Sequence, residues 1–410
     1  MIDSCRLCGQ AELLPLIDFG AHPFSHNYLP DPAAKEQVHP VKLSFCERCG
    51  LIQLVDPVSP DLLYTEYVCL SSWKFQPHIP RMIDLIDGLP GLDKAAAIGE
   101  IASNDGIFLQ ALKERGYRNI LGIEPALDAR ASAGRKGLET IGGYFTPEMA
   151  RTVCSSHGRR DLLVARQVLE HITDLEAFGE AVRLFLRPGG YVVIEVPNHD
   201  FSLDMLDYSV IWEEHVNYFG LDTLRLYLAK LGIRVIHSET VTFSGDTLIV
   251  VGEYLDDGEA RPANGYLEKL RAKTLAYRDG WPVFRDSFIE YLHDHRQAGG
   301  RAVIYGAGNR SCSLINFVGL GPYIECVVDD QLEKQGLYMP GSHLPIVAGD
   351  TLEQQDADLC LLAVNAENED KVMAKHSRYT DQGGKFVAIF PPSDNLAPFW
   401  NRLLAGNRAG

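Results

Sequence analysis

Hydrophobic positions along this chain fall either in short continuous runs or at spacings of three and four, and this alternation predicts most of its architecture. Apolar runs at 95–101, 120–123, 162–165, 191–196, 234–236 and 247–251 read as buried strands, each short and bounded by small or polar residues. Helical spacings lie between them: Phe108, Leu109 and Leu112 mark one helix, and 175–185 and 221–231 mark two more. The breaker Pro188-Gly189-Gly190 stands before the 191–196 run. Strands alternating with helices argue for a doubly wound α/β unit, a mostly parallel sheet covered on both faces. Residues 256–300 read as polar helix in two pieces, 264–278 and 283–296. A second, smaller α/β unit follows, with strands starting at 302 and at 324–328, 359–363 and 385–389.

The first strand ends in a small-residue turn, Ala102-Ser103-Asn104-Asp105-Gly106, and the second stops at Glu124. A tight turn leading into a helix, with an acid at the end of the next strand, can place a nucleoside ligand over the sheet edge. The turn approaches the ligand closely and the acid takes ribose hydroxyls. An ordinary βαβ unit with a surface Glu would share this pattern. The turn is not the GxGxxG of dinucleotide binders. Glu100-Ile101-Ala102-Ser103-Asn104-Asp105-Gly106 resembles motif I of S-adenosylmethionine (SAM)-dependent methyltransferases. In that fold Val164 to Ile172 sits at the fourth strand and its loop, with Arg166 and Gln167 under the methionine end of SAM. The resemblance implies Glu100, Ala102, Asn104, Asp105, Gly106, Glu124, Arg166 and Gln167 as cofactor-binding residues.

Length and charge narrow the picture further. At 410 residues and 46% hydrophobic, the chain can form two or three domains. The expected boundaries are 1–75, 76–255 and 256–410. A net charge of −17 argues against nucleic acid or an anionic membrane as partner. No apolar run approaches a membrane span, and Met1 to Gln10 lacks a signal-peptide pattern, so a cytoplasmic location is expected. The expected partner is a small-molecule substrate, and the expected state a monomer or weak homo-oligomer.

Four of nine cysteines form two matched knuckles, Cys5-Arg6-Leu7-Cys8-Gly9 and Cys46-Glu47-Arg48-Cys49-Gly50. Two intervening residues let both sulfurs face one ion, and the Gly permits the turn beneath them. Cys5, Cys8, Cys46 and Cys49 would complete a closed, structural Zn2+ site; a redox pair is the competing reading. The residues between the knuckles suggest an inserted loop. The remaining cysteines, in mostly apolar surroundings, read as core filler.

After the fifth strand comes Ile211-Trp212-Glu213-Glu214-His215-Val216-Asn217-Tyr218-Phe219. Acid–base groups beside aromatics, outside any amphipathic pattern, suggest an active-site wall. His215 titrates near neutrality, and a neighbouring carboxylate such as Glu214 could orient it. In the last third, Gly306-Ala307-Gly308-Asn309-Arg310-Ser311 could cradle phosphate with Arg310 adding charge, or could wall the substrate cleft.

Taken together, the chain resembles the three-domain C-methyltransferases that act on nucleotide-linked ketosugars in deoxysugar biosynthesis. The likeness rests on both knuckles, Ser71-Ser72, the motif I turn, Gly122-Ile123-Glu124-Pro125-Ala126 and Glu214-His215 with Tyr218. It extends to Asp329-Asp330, Lys334-Gln335-Gly336, Pro340-Gly341-Ser342-His343-Leu344-Pro345-Ile346 and Gly383-Gly384-Lys385-Phe386. It implies a zinc module, a class I methyltransferase domain and a Rossmann-like C-terminal domain closing the substrate cleft. It also implies His215 as the base, Glu214 as supporting it or contacting the sugar, Tyr218 as a further catalytic residue, and Ser71 among the cofactor-binding residues. Trp212 and Glu213 stand where the family has Tyr and His, and Phe243 to Leu248 lacks the family's His and Arg. Those departures fall on the substrate side. They leave open O- or N-methylation of another acceptor, or a non-catalytic SAM- or nucleotide-binding role.

Overall fold

The protein's structure, a computed structural model, describes residues 4–63, 76–255, 265–354 and 356–407. Ser71 and the rest of the connection at 64–75 lie outside the described residues. Beside the cysteine knuckles, β1 (Leu14–Pro23), β2 (Val38–Phe45) and β3 (Ile52–Leu54) form an antiparallel sheet. The expected inserted loop is thus largely a hairpin. Its strands bury Leu16, Ile17, Phe19, Val41, Leu43 and Phe45 on one core, a pattern that its Gly, Pro and His residues obscure in the sequence.

The middle sheet is built from β4 (Ala97–Ile101), β5 (Asn119–Glu124), β6 (Thr140–Gly142), β7 (Arg160–Arg166) and β8 (Leu186–Pro197). The chain then leaves it for the two-residue strand β9 (Asn217–Tyr218) and returns as β10 (Ile233–Thr242) and β11 (Asp246–Tyr254). The order is β10-β11-β8-β7-β4-β5-β6, with β11 antiparallel to both neighbours and the rest parallel. Two apolar cores cover its faces, as buried parallel strands require. The Pro188-Gly189-Gly190 run does not precede β8 but bulges within it. Arg160 pairs with Leu186 while Leu162 pairs with Tyr191, and Gly189 takes φ 75°.

The C-terminal sheet contains β12 (Ala302–Tyr305), β13 (Ile324–Val328), β14 (Ile346–Val347), β15 (Leu359–Leu362) and β16 (Lys385–Ala388), all parallel, in the order β14-β13-β12-β15-β16. Where two helices were expected before it, one helix runs from Tyr266 to Gln297 with Pro282 inside. Interior proline costs about 3 kcal/mol. Burial of Tyr277 before it and Phe284, Phe288 and Leu292 after it holds the helix in one piece.

Two junctions position the site. Strand β9 pairs with β3, Ile52 opposite Tyr218, so the N-terminal sheet closes on the stretch that carries His215. The β1–β2 hairpin shares one core with the long helix and the C-terminal sheet, Phe19 stacking on Phe317 at 4.3 Å and meeting Trp281 edge-on at 4.9 Å. Among the described residues, no helix is long and apolar enough to cross a membrane.

Candidate functional site

At the carboxyl end of β4 the turn is built from left-handed backbone, Ala102 at φ 50°, Asn104 at 51° and Gly106 at 79°. Two non-glycine residues in that region mark a strained turn, and such strain collects at ligand sites. Glu124 holds the turn: its carboxylate accepts from the Asn104 N–H at 2.9 Å and the Ala126 N–H at 2.8 Å. Asp105 pairs with Lys136 at 2.7 Å. Beneath the turn, Arg166 lies 3.5 Å from Glu100 and 3.2 Å from Glu195, and His78 and Gln167 also reach Glu195. Burial would raise Glu195, but Arg166, His78 and Gln167 hold it down to about 2. Glu100 keeps the weaker share of Arg166, so burial pushes it up to about 8. Its Oε2 is buried without a hydrogen-bond partner. A buried carboxyl with one oxygen unpartnered, beside a turn of strained left-handed backbone, suits a cationic ligand, and SAM carries positive charge. These residues fit SAM.

The two knuckles fold alike. Gly9 N–H donates to the Cys5 carbonyl and Gly50 N–H to the Cys46 carbonyl, both at 2.8 Å, with φ 72° and 78° at the glycines. Cys5 and Cys49 sulfurs are 3.4 Å apart, Cys8 and Cys46 3.5 Å, and all four lie within 4.8 Å of one another. A tetrahedron with Zn–S bonds of about 2.3 Å has sulfurs roughly 3.8 Å apart, so the four thiols fit zinc. Of the other cysteines, Cys312, Cys326 and Cys360 are buried and Cys154 is half-buried; Cys69 lies outside the described residues. Arg6, inside the first knuckle, ties the module to the site. Its guanidinium donates to the Val216 carbonyl at 2.9 Å and the Leu54 carbonyl at 2.7 Å.

Val216 follows His215, whose ring is buried and lies against the Trp212 ring, centroids 3.6 Å apart. Burial, with His171 and Arg310 nearby, holds His215 well below the ordinary histidine range, while a hydrogen bond to the Val210 backbone opposes this. The imidazole is therefore uncharged, with one nitrogen left as a base. Glu214 faces elsewhere. It pairs with His26 at 3.1 Å and accepts from the Asn309 side chain at 3.3 Å. The expectation that Glu214 orients the His215 ring is corrected here, because adjacent side chains on this turn diverge. Glu213, buried, accepts from the Ser25 N–H at 2.6 Å and hydroxyl at 2.9 Å; burial and Glu214 push it up to about 7. Tyr218 is buried on β9 with its hydroxyl unpartnered.

Ser25 and His26 come from the hairpin tip and Asn309 from the C-terminal glycine turn, so residues from three distant segments meet at Glu213-Glu214. Sequence reasoning did not single out Ser25, His26 or His78, since no local pattern marks a partner more than a hundred residues away. Arg310 is committed as well. It pairs with Asp207 at 3.0 Å, donates to Ser209 and Asn365 and to the Ser244 carbonyl, and stacks on Phe390. The Ala307 N–H donates to Asp329 at 2.7 Å, while Lys334 and Tyr28 occupy the Ala307 carbonyl. The turn therefore joins domains, and Arg310 does not add charge to a phosphate cradle.

Comparison with known proteins agrees with this anatomy. A zinc binding domain family matches residues 5–64, a methyltransferase domain family 75–238, and a C-methyltransferase C-terminal domain family 271–391. Fold and site define a SAM-dependent methyltransferase with a zinc-binding module. The C-methyltransferase NovU of Streptomyces niveus is 29% identical over 405 residues, 95% of this chain and 96% of that one. The three family matches follow one another in this order along the chain, and the likeness to NovU, a C-methyltransferase, runs almost end to end. The ubiquinone biosynthesis O-methyltransferase of Cupriavidus pinatubonensis is 25% identical over 139 residues, 33% of this chain and 54% of that one. A SAM-dependent methyltransferase from Anabaena variabilis aligns at 16% identity over 44% of this chain and 86% of that chain, with a TM-score of 0.36.

Proposed function

We propose that the chain methylates a carbon next to the ketone of a nucleotide-diphosphate ketosugar, with His215 as the base. The observation that carries this reading is the buried His215 ring, packed on Trp212 with His171 edge-on beside it, close to where the three segments meet. A carbon beside a carbonyl is weakly acidic, so its proton needs a positioned base and its enolate needs nearby polar groups. His215 takes that proton; Glu214, with His26 and Asn309, holds the sugar. Glu100, Arg166, Gln167 and the Ala102–Gly106 turn hold SAM, whose contribution when bound is an electrophilic methyl group. Enforcing the alignment of donor and acceptor is the pocket's remaining task. The nucleotide lies between the middle and C-terminal domains, and the domain limits 1–75, 76–255 and 256–410 belong to the same reading.

The test is incubation with labelled SAM and a panel of nucleotide-linked 4-ketosugars, followed by product mass and carbon connectivity. A new carbon–carbon bond is expected. His215→Ala should abolish transfer while SAM binding persists. The partial likeness to an O-methyltransferase keeps one second reading in play, methylation of a hydroxyl. Solvent-deuterium exchange at the carbon beside the ketone separates them, since only the C-methylation route forms an enolate.

A further inference from the structure

Behind His215 lies a small cavity lined by Glu170, Val210, His199, Asn217 and Tyr218, with His215 itself in its wall. Its lining is unusually short of partners. Both carboxyl oxygens of Glu170, Nε2 of His199, Oδ1 of Asn217 and the Tyr218 hydroxyl are buried without one. Buried polar groups are ordinarily satisfied, and several orphans around one cavity mark a place where a water or a transient charge is accommodated. Glu170 is 2% exposed. One carboxyl oxygen of Glu170 and ring nitrogens of His171 and His215 all lie within 4.8 Å of one another. The His171 ring meets the His215 ring edge-on, centroids 4.8 Å apart, and its Nε2 is 3.9 Å from Glu170 Oε1.

We propose that Glu170 is the buried counter-ion of His215, acting across this cavity on the imidazolium that forms when His215 takes the substrate's proton. The inference rests on the enolate reading above. Glu170 touches no substrate; it acts through His215.

At rest, burial holds the Glu170 carboxyl well above the usual carboxylate range, so it is neutral, as is His215. A neutral pair costs least where both groups are buried. When the substrate's C–H bond breaks, its electron pair stays on carbon and its proton goes to His215. An imidazolium within a few ångströms favours the carboxylate, and the Glu170 proton leaves through the cavity toward solvent. After product departs, His215 passes its proton to Glu170 and the pair is neutral again. One proton is released per turnover, which matches methylation of carbon. His215 and Glu170 thus divide between them what a single partly exposed base would do less well, because a lone imidazolium in this pocket would lack a partner charge.

The experiment compares wild type, Glu170→Gln, Glu170→Asp and His215→Ala by exchange of the ketosugar's α-hydrogen in deuterated water, with S-adenosylhomocysteine in place of SAM. Glu170→Gln keeps the shape and removes the ionisable group. It should lower exchange and kcat together by roughly 10²-fold, with KM for the sugar and SAM affinity within about twofold of wild type. Glu170→Asp should recover part of the loss. Exchange by Glu170→Gln at the wild-type rate overturns the proposal. Absence of exchange by wild type with every ketosugar instead overturns the enolate reading on which it rests. Infrared spectroscopy reads the carboxyl directly. Glu100 and Glu213 are also held high, so the Glu170 band is the protonated-carboxyl band that Glu170→Gln lacks. In wild type it should be present at rest and bleach when ketosugar and S-adenosylhomocysteine are added. Its absence at rest, or metal analysis finding a second ion held by Glu170, His171 and His215, overturns the assignment.

Discussion

Burial of Glu100 makes stability depend on pH and, with Glu100 in the proposed cofactor site, ties that dependence to SAM binding. Its carboxyl is raised from 4.5 to about 8, chiefly by burial, against the pull of Arg166. In the unfolded chain the group ionises near its ordinary value, so between about pH 4.5 and 8 the native state holds more of the proton than the unfolded state. Stability therefore falls as pH rises through that window, by an amount on the order of a few kcal/mol, and levels off above about 8. Glu100→Gln should remove this slope. The variant without ligand is expected to melt higher than wild type at pH 8 and much as wild type at pH 5, a comparison that thermal unfolding makes directly. A cationic ligand stabilises the ionised form, so SAM affinity in wild type should increase toward pH 8. In Glu100→Gln it should be weaker and flatter across that range, as titration calorimetry would report. A variant that binds SAM like wild type at every pH would remove Glu100 from the cofactor site.

At the level of elements, the zinc module acts on the site through β3, β9 and Arg6. The cysteine knuckles fix Arg6, and Arg6 with the Ile52–Tyr218 pairing sets the register of the segment that carries His215. Arg6→Ala should cost about 3 kcal/mol, since two hydrogen bonds from a half-buried charge are lost. It should also lower kcat more than KM while one zinc per chain is retained, which metal analysis and steady-state kinetics would establish. Cys46→Ser should lose zinc and activity together. Both knuckles were readable in the sequence because their geometry is local, and so were the doubly wound strands, whose apolar runs are continuous. The β1–β2 hairpin was not readable, because Gly20, His22 and Pro23 interrupt its pattern and its buried face is completed only by Phe317 and Trp281 far along the chain. The break read between 278 and 283 was an honest consequence of Pro282, which tertiary burial overrides. The partnership of Glu214 failed for a related reason. Sequence adjacency suggested His215, whereas folding delivers His26 and Asn309.

For the molecule as a whole, one buried ion pair links the middle and C-terminal domains. Arg310 starts the helix after the C-terminal glycine turn. It reaches Asp207 and Ser209 on one side, and the Ser244 carbonyl in the β10–β11 turn and Asn365 on the other. Burial raises Asp207 and lowers Arg310, and each opposes the other's shift, as expected of two charges that only pairing makes tolerable in the interior. Asn309, one residue away, touches Glu214. The clamp therefore ties the two domains together and fixes Asn309 against Glu214, the residue proposed to hold the acceptor. Arg310→Met should leave Asp207 buried and unpaired at a cost of about 3–5 kcal/mol. The expected sign of uncoupling is a thermal unfolding curve that separates into two transitions where wild type shows one. The acceptor's KM should rise more than the affinity for SAM falls, since the Ala102–Gly106 turn and Glu124, proposed to hold SAM, make no contact with Arg310. Arg310→Met with Asp207→Asn should recover much of the lost stability, because the unpaired charge is gone, but not the KM, because the tie to Ser244 and Asn365 is still missing. Recovery of both would mean that Arg310 serves only to neutralise Asp207.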